Sequence, residues 1–360
     1  MTARNQPLPL DHAAAWRVYL GGRRLRQLRG LPDTPDDHFP EEWIASVTEA
    51  AGAGAVPGAG LSRLRDDPEQ TLRGLIASDP PRFLGEEFVR RHGDSCGVLL
   101  KLLDAAERLN VQVHPSREDA GRLWGLPFGK TECWHFLESR RADGGQAVFY
   151  LGLRPEVTAA ALRRAFDSGE PQRVLDCMHR FPARAGETVL VEGGVPHAIG
   201  AGCFLLEIQE PSDLTLRLER ATASGSLVPD EVCHMGAGYD AMFSLIQCPG
   251  LSREETRARW FLPPAPPRSA EGGCVTRLLD YGRCPYFAMD RVEVRGTLRL
   301  PQEDVFCGLF VLSGTGELRS GDFACALRAG DQLFLPAGCP APELKADGAL
   351  RLIRFFGPQP

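Results

Sequence analysis

The sequence predicts a mainly β protein: two small β-barrel domains, with a small helical portion inserted in or beside the first. Three observations carry this. Short apolar runs bounded by Gly, Pro and Asp recur from CGVLLKLLDA onward, several with alternating character. One internal repeat is visible: GETVLVEGGVPH, from Gly186 to His197, matches GDQLFLPAGCPA, from Gly330 to Ala341, turn for turn. Each copy reads as a Gly turn, a five-residue strand, a tight Gly turn and a return strand. Finally, Pro263, Pro264, Pro266 and Pro267 mark a linker, which places a boundary near residue 270. The expected domains are 1–270 and 271–360.

Taken in order, residues 1–50 begin irregularly and hold a basic tract, GGRRLRQLRGLP, read as a solvated face. AGAGAVPGAG, residues 51–60, lacks side chains for a core and reads as a loop. Asp67 and Pro68 suit the N-cap and N1 positions of a helix running through Leu72, Leu75 and Ile76. A second helical piece is expected around Phe83–Arg91, so the first helical segment covers about 65–92. Ser116 and Asp119 form a capping pattern for a short helix after VQVHP. Across 155–178, Leu162 with Phe166 and Val174 with Met178 have i,i+4 spacing, and Ser168-Gly169 splits them into two helices. Residues 221–250 show little pattern. Beyond the prolines, YFAMDRVEV, LFVLSGTGELRSG and DQLFLPAG alternate strands and turns without helical period.

Composition bounds the function. With 43% apolar and 24% charged residues the chain is globular, and a formal charge of -6, with the one basic tract read as a solvated face, argues against a nucleic-acid footprint. No apolar leader or run of about 18 apolar residues is present, so no membrane partner is expected. Eleven scattered cysteines without a CxxC pair point to a reducing compartment, taken as the cytoplasm. The sequence gives no oligomeric state.

The stretch from Lys101 to Glu132 carries the chemistry. Gln112 and His114 share one face of a strand because side chains alternate. GKTECWHFL resumes as a strand bearing Glu132, with Lys130 two residues before it. An amide, an imidazole and a carboxylate from neighbouring strands form a borderline donor set that suits zinc. The repeated turn segment resembles the second motif of cupins, jelly-roll barrels whose metal is held by a ligand just after that turn. The first copy ends in His197 and the second in Ala341, so the resemblance implies two jelly rolls, only the first with a metal. Gln112, His114, Glu132 and His197 are then four candidate ligands for one Zn2+ per chain. Lone His12, His38, His92 and His234, with His135 and His179, are read as ordinary core or surface residues.

KLLDAAERLNVQVHP, GKTECW, VPHAIGAGCFLLEIQEPSDLTLR and FPEEWIAS together resemble the type I mannose-6-phosphate isomerase family, in its compact bacterial form. The resemblance implies zinc on Gln112, His114, Glu132 and His197, a catalytic arginine at Arg217 in the Ser212-Asp213-x-x-x-Arg segment, and active-site lysines at Lys101 and Lys130. It implies aldose–ketose isomerisation of a small sugar phosphate, mannose 6-phosphate to fructose 6-phosphate, through a cis-enediol(ate). Arg217 would steady the developing charge. The two lysines would hold phosphate, or move protons if desolvation lowers their pKa. Asp213 would orient Arg217 or relay protons. Asn110 stands where the family has a serine associated with phosphate, and Leu218-Glu219-Arg220 replaces a Tyr-Asp-rich stretch. Two alternatives remain open: an isomerase of another sugar or sugar phosphate, and a non-catalytic sugar-binding or regulatory cupin. A redox-iron dioxygenase fits poorly with a Gln ligand and two lysines.

Overall fold

Two pairs of facing antiparallel sheets, seen in a computed structural model that describes residues 5–51, 56–139, 145–247 and 249–360, make up most of the protein. Part of the Gly/Ala-rich loop, 52–55, and Cys248 lie outside the described residues. The first pair sets a seven-stranded sheet against a five-stranded one. In the larger sheet the strands run Phe261–Leu262, Thr188–Val191, Glu132–Ser139, Cys203–Gln209, Leu99–Asp104, Glu41–Ile44 and Ala14–Ala15. The smaller runs Leu216–Arg217, Gln112–Val113, His197–Ile199, Val148–Leu153 and Met178–Pro182.

Alternation along the central strands assigns their faces. Leu100, Leu102, Cys133, Phe204, Leu206 and Ile208 point away from the first barrel and meet Met289, Phe310, Phe334, Ile353 and Phe355 of the second. Their neighbours Leu103, Trp134, Phe136 and Leu205 point inward against Phe149, Leu151, Phe181 and Ile199. Each such buried apolar side chain stabilises the fold by about 1.5–3 kcal/mol. The same period turns Lys101 and Glu207 inward, with Leu103 and Leu205. Charge is thereby carried into the space between the two sheets.

The second pair sets Leu8–Leu10, Gln332–Leu335, Cys307–Ser313, Leu350–Phe356, Ala288–Val294, Gly273–Leu279 and Arg268–Ala270 against a four-stranded sheet. Val292, Leu309, Leu318, Leu344 and Leu352 fill the space between. The chain therefore begins by edging the second barrel's sheet, where Leu8 lies opposite Phe334, before it builds the first. The four linker prolines fall between Phe261–Leu262, paired into the first barrel, and Arg268–Ala270, paired into the second.

The sequence repeat is a repeat of backbone. Gly186 and Gly330 open the two copies at φ 85° and 91°, and Gly194 and Gly338 turn them at 81° and 67°. A Cβ on Gly194 would also stand 2.7 Å from the Leu245 carbonyl oxygen, so the turn that delivers His197 demands glycine twice over.

Helices Ala159–Asp167 and Pro171–Asp176 form where two were expected, separated by Ser168 and a left-handed Gly169, but the second stops short of Met178, which opens the strand Met178–Pro182. With Met242 and Leu245 they cover the outer face of the five-stranded sheet at Val113, Ala198 and Leu216. Ser116 caps Arg117–Trp124 by accepting from Asp119 N. The Asp67-Pro68 start is not observed. Gln70 N closes a turn on Asp67 O, and Leu64 N donates to Gln70 O, which holds this backbone in a bridge. The helix begins at Leu72, with Thr71 accepting from Gly74 N, and Pro80–Leu84 and Glu86–His92 follow. The basic tract holds a helix, Arg23–Leu28. The weakly patterned region contains Asp230–His234 and Tyr239–Ser244, followed by Arg253–Trp260. At five to eight residues these are too short for period to be read, and tertiary contacts hold them.

Candidate metal centre

Strand register assembles the site. Gln112 lies opposite both His197 and Arg217, and residues directly opposite in an antiparallel pair share a face. Arg217, Gln112 and His197 thus form one row across the five-stranded sheet, with His114 two residues beyond Gln112. Glu132 comes from the facing sheet, at the first position of its strand, opposite Gln209 and Val191. Ligand atoms of His114, Glu132 and His197 lie within 4.8 Å of one another. All three residues are at most 1% exposed.

The backbone sets both imidazoles. His114 Nδ1 lies 2.9 Å from Leu214 O, and His197 Nδ1 lies 2.8 Å from Val195 O. A carbonyl only accepts, so each Nδ1 carries the proton and each Nε2 presents a lone pair. His114 Nε2 stands 3.2 Å from Lys130 Nζ and 3.1 Å from Glu132 Oε1. His197 Nε2 is buried without a hydrogen-bond partner among the described residues, 3.8 Å from Glu132 Oε2. Burial, reinforced by Lys130, pushes the His114 pKa down to about 3, and burial lowers that of His197. Burial alone would raise the Glu132 pKa, but Lys130, at 2.9 Å from Oε1, outweighs it and holds the carboxylate well below the usual range. Two neutral imidazoles, one with an orphaned lone pair, converge on an ionised carboxylate. These donors fit a divalent cation of borderline softness.

Behind Glu132 runs a buried charge network that the sequence reading missed. Trp134 Nε1 donates to Glu132 Oε2 at 3.1 Å and to Glu207 Oε2 at 3.2 Å. Glu207 Oε1 accepts from Lys101 Nζ at 3.1 Å, and Lys101 lies 3.8 Å from Glu41 and over the Trp43 ring. Glu41 in turn binds Arg17 Nε, Tyr19 Oη and Trp43 Nε1. The available signal was Glu207, a charge within CFLLEIQ on the face of Leu205.

Lys101 does not have the depressed pKa on which a proton-transfer role was conditioned. Burial would lower it, but Glu41 and Glu207 outweigh burial and raise it. Lys101→Met therefore strips two buried carboxylates of their shared cation. The expected cost is about 3–5 kcal/mol, read as a lower urea midpoint at unchanged slope.

Arg217 Nη1 donates to Thr215 O at 3.0 Å and to Val232 O at 3.2 Å, with no salt bridge among the described residues. Burial lowers its pKa from the ordinary value. The carboxylates that might have paired with it are engaged elsewhere: Glu219 with Arg108 and Glu210 with Arg117. Asp213 faces Arg17, at 3.6 Å, rather than forming a salt bridge with Arg217, and accepts from Ala51 N. Asn110, expected against the substrate, has its amide nitrogen committed to Glu219 Oε2 and Ala221 O. His135 and His179 are satisfied by Thr188 and Leu251.

Known proteins share this organisation. The catalytic domain of type I phosphomannose isomerase matches residues 54–126, and the cupin domain of mannose-6-phosphate isomerase matches 278–356. Mannose-6-phosphate isomerase ManA of Bacillus subtilis is 29% identical over 264 residues, covering 72% of this chain and 75% of its own. The mannose-6-phosphate isomerase of Streptococcus mutans is 28% identical over 352 residues, covering 97% of each. A crystal structure of mannose 6-phosphate isomerase from Bacillus subtilis superposes with a TM-score of 0.75 at 24% identity, covering 97% of this chain and 99% of that one. A phosphomannose isomerase variant from Salmonella typhimurium gives 0.71 at 16% identity, over 98% and 100%. At those identities the structural matches speak for the fold.

Proposed function

Because the chain belongs to the type I phosphomannose isomerase family, we propose that it interconverts mannose 6-phosphate and fructose 6-phosphate, with one zinc ion per chain. The observation that carries this reading is the convergence of the His114 and His197 Nε2 atoms on Glu132, one of them buried without a partner. Gln112, in register with His197, would complete the ligand set. Zinc held there would act as a Lewis acid, stabilising negative charge that develops on the sugar oxygens.

The chain's own residues supply the rest. A proton moves between C1 and C2 through a cis-enediol(ate), and Arg217, in the same row as Gln112 and His197, steadies the charge with a fixed guanidinium fork. Lys130 brings a cation to the ligand carboxylate and is the group suited to the substrate's phosphate. Lys101 contributes fixed positive charge behind Glu207, and Asp213 acts through Arg17. Asn110 then enters as a brace for Glu219. The catalytic unit would span 1–270 with its helical segments, and 271–360 would be a jelly roll without metal ligands. Among the described residues no helix is long and apolar enough to cross a membrane. Ten unpaired cysteines there support placement in a reducing cytoplasm.

The test is a coupled isomerase assay with mannose 6-phosphate on chelator-stripped and zinc-restored protein, with elemental analysis of both. Stripping should lower turnover by at least about 10²-fold, and restoration should return it at near one zinc per chain. Stoichiometric zinc without turnover would keep the centre and send the substrate search to other sugar phosphates.

A further inference from the structure

We propose that Trp134 is the positioning residue of the metal centre, its indole N–H fixing the carboxylate of Glu132. This rests on the zinc reading above. The indole is fully buried and sits two residues after Glu132 on the same strand, so both side chains point inward. Its single donor is divided between Glu132 Oε2 at 3.1 Å and Glu207 Oε2 at 3.2 Å. Indole has no acceptor, so it can serve two carboxylates without competing for the centre.

The consequence is rotational. Lys130 Nζ and His114 Nε2 flank Glu132 Oε1, at 2.9 and 3.1 Å, while the indole holds Oε2. The carboxylate plane is thus set by the indole donor at Oε2 and by the Lys130 ion pair at Oε1. Without the N–H, Oε2 would be buried with no donor, and the carboxylate would turn toward Lys130. The ring itself is clamped edge-on by Phe149 at 5.9 Å and by His197 at 5.4 Å, so the donor is rigid and packed against a second proposed ligand. Lys101 anchors the far side by binding Glu207 Oε1. Outer partners of this kind set ligand orientation, and their loss costs roughly 10–100-fold in metal affinity.

The experiment compares zinc affinity, by competition with a chromophoric chelator, in the parent and in Trp134→Phe, which keeps an aromatic ring and removes the donor. Affinity should fall by roughly tenfold or more, and the ligand-field bands of the cobalt-loaded variant should shift, a change that mere loss of core packing would not produce. Site-specific β-(3-benzothienyl)alanine at position 134 keeps the bicyclic shape and replaces N–H by sulfur. It gives the same readout if the phenylalanine variant does not fold, and the same loss is expected. Parent affinity and unshifted bands in either variant overturn the role of Trp134 while leaving the zinc reading intact. A parent that binds no zinc overturns both.

Discussion

His197→Ala should purify with little zinc and should not regain it at concentrations that saturate the parent. The imidazole cannot be replaced by a neighbour. It is delivered by a turn that requires Gly194, its Nδ1 is tied to Val195 O, and its Nε2 has no other hydrogen-bond partner. Its loss should exceed the roughly 10–100-fold that removing a supporting hydrogen bond costs. The remaining donors, Gln112, His114 and Glu132, then surround a cavity the size of the lost ring. A chelator titration and elemental analysis read the result. Full zinc stoichiometry with near-parent affinity would remove His197 from the ligand set. The same substitution separates the two barrels: the position matching His197 in the second copy is Ala341, so Ala341→Gly should leave zinc content unchanged.

The sequence reveals what depends on short spacing or on repetition. Gln112 and His114 are read together because they stand two apart at the end of a short strand, and Lys130, two residues before the strand that opens at Glu132, meets that carboxylate. The turn repeat singles out His197 because the second copy ends the same turn in Ala341. The Trp134–Glu207–Lys101 chain was invisible because it depends on register. Glu207 sits opposite Lys101 on one side and Trp134 on the other, strands about 100 and 70 residues away in sequence. Glu207 stands out as a charge inside an apolar strand, but nothing local names its partners, and Glu210, just past that strand, instead binds Arg117 and Thr131 N. The same limit explains Asn110. Its position beside Gln112 suggested a substrate contact, yet Glu219 returns along the neighbouring segment and takes its amide. Short helices such as Asp230–His234 fail for a different reason, since one turn has no readable period. That helix supplies Val232 O to Arg217, so part of the candidate site rests on the least legible segment.

Arg217→Ala should retain zinc and lose turnover by about 10²–10³-fold, the usual cost of removing one donor aimed at developing charge. The geometry separates the two readouts. Arg217 is in the row of Gln112 and His197, yet its Nη1 is held by Thr215 O and Val232 O rather than by a proposed ligand. Alanine frees two carbonyls near the surface and leaves the imidazoles and Glu132 in place, so metal content and fold should change little. The remaining guanidinium nitrogens are the ones free to meet an enediolate, and a partly desolvated cation stabilises such charge more strongly than one in bulk water. Arg217→Lys tests the geometry of that contact. A lysine restores the charge as a point but not the planar fork, so its turnover should lie between the parent and alanine. Loss of zinc along with turnover in Arg217→Ala would instead place the arginine among the supports of the metal centre.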